Sequence, residues 1–221
     1  MYVPMVTSSP ATTDRPDERR RSQAERRRGT REALLAAGRR LFGTVGVAAV
    51  STAAVVAEAG VTRGALYHHF RDKDDLFRAV YEQLESELCT EITAAVDDAA
   101  GAAEGLVRGV GAFLDASDRP EVRRIALDDA PAVLGWETWR RIQSDHALGV
   151  LVERLRRAEH EGAPLPGPAE VVAPLLFAAV VEAALTVSAS DDRVAARARV
   201  EPALHGVTAS VLGLAGVGGT G

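Results

Sequence analysis

The sequence predicts an all-α fold: an N-terminal three-helix unit built on a helix-turn-helix, then a larger helical body, about nine helices in total. Three observations predict it. Apolar residues recur at helical spacing, most plainly Leu76, Val80, Leu84, Leu88, Ile92 and Val96, every fourth position along one run. No stretch of strand length alternates, and Ala and Val dominate while aromatic residues make up only 5% of the chain. Ser51 to Phe70, STAAVVAEAGVTRGALYHHF, reads as two short helices joined by a tight turn. At 221 residues, 47% hydrophobic and 26% charged, the chain can bury a core in each unit.

Residues 1–26 form a Ser-, Thr-, Pro- and Arg-rich arm without periodicity, expected to be disordered. Its Arg19-Arg20-Arg21 and Arg26-Arg27-Arg28 clusters are either an arm for phosphates or a minor groove, or a solvated basic tail. Helix 1 is expected from Arg27 to Gly43, with Leu34, Ala37, Leu41 and Phe42 inward. Ser51 and Thr52 open helix 2, where a hydroxyl oxygen can accept an unpaired backbone N–H. Val55, Val56 and Ala59 give it an apolar stripe, and Gly60 is free to take the positive φ that ends it. Thr62 caps helix 3, with Leu66 and Phe70 inward. Its outer face carries Arg63, Gly64, Ala65, Tyr67, His68 and His69, a dress that suits a major groove.

Asp72 caps a long helix 4, ending near Asp98, with Asp74 and Asp75 in its first turn, where carboxylates complement the dipole. Gly101 breaks it. Helix 5 spans about Ala103 to Ala116, with Leu106, Val110, Phe113 and Leu114 inward. A short helix 6 opens at Pro120 and is expected to close before Pro131, leaving Asp129 to Trp136 as a turn with an apolar lip. Helix 7 runs from Trp136 to about His160, and Gly162, Pro164, Pro166, Gly167 and Pro168 form a loop. Helix 8 covers Pro168 to Ser188 and helix 9 Asp192 to Leu214, kinked at Pro202, whose ring offers no N–H. These elements place domains at 27–87 and 88–214, with a flexible tail at 215–221.

The net charge of −5 is unevenly spread. Residues 1–71 hold 12 basic against 6 acidic side chains, a net of +6, and the remaining 150 hold 14 against 25, a net of −11. A basic head on an acidic body is the asymmetry of a chain that meets phosphate at one end. The single Cys89 excludes an internal disulfide, fits a reducing compartment, and reads as a buried small hydrophobe. No signal pattern opens the chain, and the apolar run Val171 to Val181 is interrupted by Pro174 and followed by Glu182. A cytoplasmic protein with no membrane partner is expected.

From about Arg27 to Glu87 the chain resembles the N-terminal domain of TetR-type, tetracycline-repressor-like, regulators. The matching residues are Phe42, Gly46, Thr52, Ala59-Gly60-Val61, Thr62, Gly64, Leu66-Tyr67, His69-Phe70, Lys73 and Leu76. Val56 departs, standing where the family usually has Ala, and is expected to shift the angle between helices 2 and 3 slightly. The resemblance implies a homodimeric, sequence-specific transcriptional regulator, by default a repressor, released from a palindromic operator in double-stranded DNA by a small-molecule effector bound in the body. It implies DNA contacts from Ser51, Thr52, Thr62, Arg63, Gly64, Ala65, Tyr67, His69 and Lys73, with Arg28 joining from the arm. Lys73 and His69 would serve the phosphate backbone.

Helices 8 and 9 would then build the dimer, with Leu176, Val180, Glu182 and Leu204 as interface candidates. Glu182 is either a polar anchor or simply faces water. Phe113, Trp136, Trp139, His146 and Phe177 are the candidates for an effector cavity, although core packing explains the aromatics equally well. Trp136 and Trp139 share a face, with His146 two turns further along it. The acidic body suits a neutral or cationic ligand.

Other chemistries lack their residues. Gly216-Val217-Gly218-Gly219-Thr220-Gly221 spells a dinucleotide fingerprint, but no helix follows it. His68 and His69 are adjacent, and His146, His160 and His205 lie far apart, so no metal site is expected. No nucleophile motif, zinc-hydrolase motif or phosphate loop occurs, and the adjacent pairs Asp97-Asp98 and Asp128-Asp129 do not converge on a substrate. No cofactor and no enzyme activity are expected. The alternatives are a regulator controlled by a protein partner, with no small-molecule pocket, or an enzyme of unrecognised type.

Overall fold

The computed structural model describes residues 16–214, with side chains from Gln23 onward. The expectations for the Arg19-Arg20-Arg21 side chains and for the 215–221 tail lie outside the described residues. In chain order the elements are α1 (Pro16–Val45), a 3-10 turn (Val47–Ala49), α2 (Thr52–Ala59), α3 (Arg63–His69) and α4 (Lys73–Asp97). There follow α5 (Ala102–Asp118), α6 (Pro120–Val122), a π-helical segment (Arg123–Asp129) and α7 (Ala130–Leu134). The chain closes with α8 (Trp136–His160), α9 (Ala169–Ser188) and α10 (Arg193–Val211). Counting the unbroken α6–π–α7 run as one gives nine helices and no strand among the described residues.

Caps work as their side chains dictate. Ser51 Oγ accepts from Ala54 N–H, Thr62 Oγ1 from Ala65 N–H, and Asp72 Oδ1 from Asp75 N–H. Gly60 ends α2 in the left-handed conformation at φ 64. One core runs through the molecule: Leu34, Phe42, Val55, Leu66 and Phe70 close the head around α4, whose Phe77, Tyr81, Leu84 and Leu88 continue into the body. A second, smaller cluster around Leu106, Leu155 and Ala173 fills the far end. The head is therefore fastened to the body through α4.

Two expectations are corrected. α1 begins at Pro16, well before Arg27, so residues 16–26 are helical where a disordered arm was expected. The segment around Pro131 is helical where a turn was expected, and the π register explains how. Ala130 N–H bonds to Ile125 O, five residues back. In that register Ala126 O would look to Pro131, which has no N–H. Trp139 Nε1 donates to Ala126 O instead, at 2.9 Å. The chain turns only at Gly135, whose φ of 76 favours glycine.

α9 is long and apolar enough to cross a membrane by length and composition, but half of it is buried against the other helices of the body. It and α10 continue through Pro174 and Pro202, both on exposed sides. α4 and α8 run parallel, Cys89 meeting His146 and Asp97 meeting Arg154 further along.

Candidate functional site

α3 presents Arg63, Gly64, Tyr67 and His68 to solvent while Leu66 anchors it from below. Arg63 lies along Tyr67 one turn on, its guanidinium 5.6 Å from the ring centroid and its Nη2 donating to the phenol at 3.4 Å. The nearby cation pulls the Tyr67 phenol below its ordinary pKa. Pre-ordering a guanidinium on an aromatic face lowers the entropy lost when it meets a base edge. Gly64 leaves the same face open: a Cβ there would meet only Thr62 Oγ1, at 3.9 Å. Beside α3, Gln23, Ala24, Arg27, Arg28 and Arg31 of α1 and His69 wall a basic cleft. Burial, then the neighbouring charges of His68, Arg27 and Arg31, lower the pKa of His69.

The head rests on the body through a short chain of polar contacts. Asp129 Oδ2 accepts the Val47 N–H of the 3-10 turn at 2.8 Å, and Lys73 Nζ donates to Val47 O at 2.8 Å and Val50 O at 3.0 Å. Gly46, at φ 80, lets the turn approach: its absent Cβ would stand 3.3 Å from Asp129 Oδ2. Arg39 of α1 reaches Glu121 of α6 through both Nε and Nη2, and Glu87 of α4 through Nη1.

Within the body a half-open cavity of about 120 Å³ lies between α4, α5, α8 and α9. Phe113, Phe177, Leu106 and Leu151 are among its lining residues, with Cys89 and Thr93 on the α4 side. Burial pushes the Cys89 thiol up, and its Sγ donates to His146 O, so it behaves as a small apolar lining group.

Two family models match the chain. One, described as "Bacterial regulatory proteins, tetR family", covers residues 34–80, and the other, "Tetracyclin repressor-like, C-terminal domain", covers residues 103–211. A solved TetR-family regulator from Pectobacterium atrosepticum is 31% identical, with a TM-score of 0.77 over 85% of this chain and 96% of that one. The chain belongs to the TetR family of bacterial transcriptional regulators. Among curated TetR-type relatives, the regulator AcrR from Shigella flexneri is 46% identical over 59 residues, 27% of each chain. The transposon Tn10 TetC protein from Escherichia coli is 29% identical over 134 residues, 60% of this chain and 66% of its own. The match thus spans about a quarter of AcrR and just under two thirds of TetC.

Within this TetR-family frame the expected site residues separate. Ser51 and Thr62 are spent as caps, Thr52 lies beside Tyr67, and Ala65 is half-buried. Lys73 is turned inward onto two carbonyls of the 3-10 turn, Val47 O and Val50 O, where a phosphate contact was expected; Val47 O accepts the Val50 N–H as well. Of the cavity candidates, Phe113 and Phe177 line it, whereas Trp136, Trp139 and His146 do not. Trp139 is fully buried under the π segment, Trp136 lies exposed against Arg140, and His146 offers only its carbonyl to Cys89.

Three of the interface candidates are corrected as well. Leu176 and Val180 face the cavity and Leu204 lies in the core, whereas Glu182 is exposed, on the same side of α9 as Val171 and Leu175. The apolar content of α9 concealed which of its stripes points out. Val171 and Leu175 do, as do Val194 and Val207 on α10. Asp129, Glu121 and Arg39 were not foreseen, because charged residues on separate helices carry no spacing signal.

Proposed function

We propose that this protein is a sequence-specific DNA-binding repressor, acting as a cytoplasmic homodimer and released from a palindromic operator by a small molecule bound in the body. The observation that carries this reading is the reach of α4. Its first turn holds the 3-10 turn of the head through Lys73, and its later turns, Cys89 to Val96, wall the cavity. A ligand that displaces α4 therefore tilts the head. Coupling of about 1–3 kcal/mol would change operator affinity some five- to hundredfold. Two copies joined through the outer faces of α9 and α10 would set two α3 helices in successive major grooves, about 34–36 Å apart.

The test begins with sequencing the genomic fragments that the full chain retains. On the fragment selected, Arg63→Ala should cost about 1–3 kcal/mol and relax the preference at one base pair. Retention of no preferred sequence, or a loss in Arg63→Ala that is equal for every sequence, would remove α3 from the role of reading helix.

A further inference from the structure

The cavity also indicates what kind of molecule it takes. At about 120 Å³ it is slightly smaller than the roughly 150 Å³ apolar cavities that hold benzene, so it admits one ring or a short chain and nothing bicyclic. Its lining is almost wholly hydrocarbon, and its polar groups are largely spent. Cys89 Sγ donates to His146 O, and Thr93 Oγ1 donates to Cys89 O at 2.7 Å. Arg154 is the one charged lining residue. Its guanidinium has five donors, and the neighbouring Asp97 is reached through Nη2.

The position of Arg154 matters as much as its charge. Thr93, Val150 and Arg154 line both this cavity and a wider cleft on the outside of the α4–α8 seam, completed by Asp97, Gly149, Glu153 and Arg157. These three residues alone belong to both spaces. The Arg154–Asp97 pair joins α8 to α4 across the seam. Asp97 is half-exposed, so the pair is weak and parts easily. A Cβ on Gly149 would meet nothing within 4 Å, so this glycine relieves no crowding and its bareness widens the approach.

We propose that the cavity is a gated site for a small neutral compound, a single ring or short alkyl body with one oxygen acceptor. Arg154, paired with Asp97 at the entrance, narrows it and donates to the ligand's oxygen. A cationic head inside would find no carboxylate among the lining residues, and burying it unpaired is costly. A carboxylate would have to sit at Arg154 beside Asp97, a like charge. This assignment rests on the reading of the cavity as the effector site.

Four probes share one ring and differ in the head: toluene, benzyl alcohol, benzoate and benzylammonium. Calorimetric titration of the full chain should give benzyl alcohol the tightest binding, roughly tenfold over toluene for one hydrogen bond from a charged donor, and further over the two ions. Arg154→Met, which keeps the stem and removes the donors, should bring benzyl alcohol down to the toluene level. Ala147→Leu, filling the cavity, should abolish binding of both without lowering the melting temperature. Asp97→Asn should speed benzyl alcohol association. Benzoate or benzylammonium binding as tightly as the alcohol would overturn the neutral class, and so would no binding by any probe. An alcohol preference unchanged in Arg154→Met would overturn the role of Arg154. Operator binding is read separately: alcohol binding without DNA release leaves the ligand class standing and fails the effector reading, and loss of DNA selection fails the regulator reading alone.

Discussion

Glu85 is the residue whose chemistry is most altered by its place. It sits on α4 beside Tyr81 and Gln143, almost wholly buried, and burial pushes its carboxyl up to about 7. The unfolded chain holds that carboxyl near its ordinary 4.5. The folded state thus binds the proton more tightly, and stability falls as pH rises from about 4.5 to about 7, then levels. Glu85→Gln removes this penalty. It should raise unfolding free energy above neutrality by a few kcal/mol, on the order of 3 for a shift of this size, with little gain near pH 4.5. Urea melts at pH 4.5 and 8 test it, and an equal effect at both would show that Glu85 folds ionised. Lys73 is the second case. Its two bonds to half-buried carbonyls predict that Lys73→Met costs about 2–3 kcal/mol of stability. The salt slope of DNA binding should stay unchanged, whereas a phosphate contact would lower it by about one.

Elements were legible in the sequence where a local signal fixed them. The caps at Ser51, Thr62 and Asp72, the left-handed Gly60 and the fourfold apolar repeat of α4 all lie where spacing and side-chain chemistry put them. Pro131 was read as a breaker because the α register has no use for it, and the π register that accommodates it depends on Trp139 from another helix. That distant bond has no trace in local sequence. The same limit hid the cavity: four helices each supply a stripe, and only their packing decides which stripes meet. Asp129→Ala strips the Val47 N–H of its partner and should loosen the 3-10 turn, costing about 1–2 kcal/mol. Amide exchange should quicken from Val47 to Val50 while the far core around Leu155 stays protected. Unaltered exchange in the turn would mean that the π segment does not brace the head.

The outer faces of α9 and α10 are apolar and uncovered in the single chain. Leu175 and Val194 are 68% and 83% exposed in the single chain, with Val171 and Val207 alongside. Ala178 and Ala179 are only half-covered, so another backbone could approach closely there. Monomeric proteins seldom leave such apolar faces to water. A second copy related by a twofold axis would bury both faces against their equivalents, an arrangement that also gives the palindromic reading its symmetry. The variant Leu175→Glu with Val207→Glu places two carboxylates on that face and touches no core contact. Its melting temperature should fall only by the part that dimerisation contributes, and helix content should hold. Sedimentation should show dimer for the parent chain and monomer for the variant. Operator affinity should then drop a hundredfold or more, because the second head no longer binds at millimolar effective concentration. Half-site DNA should be bound equally by both proteins. A double variant that still sediments as a dimer would move the interface off these helices, and one that is monomeric yet keeps full operator affinity would show that DNA binding does not need the pair.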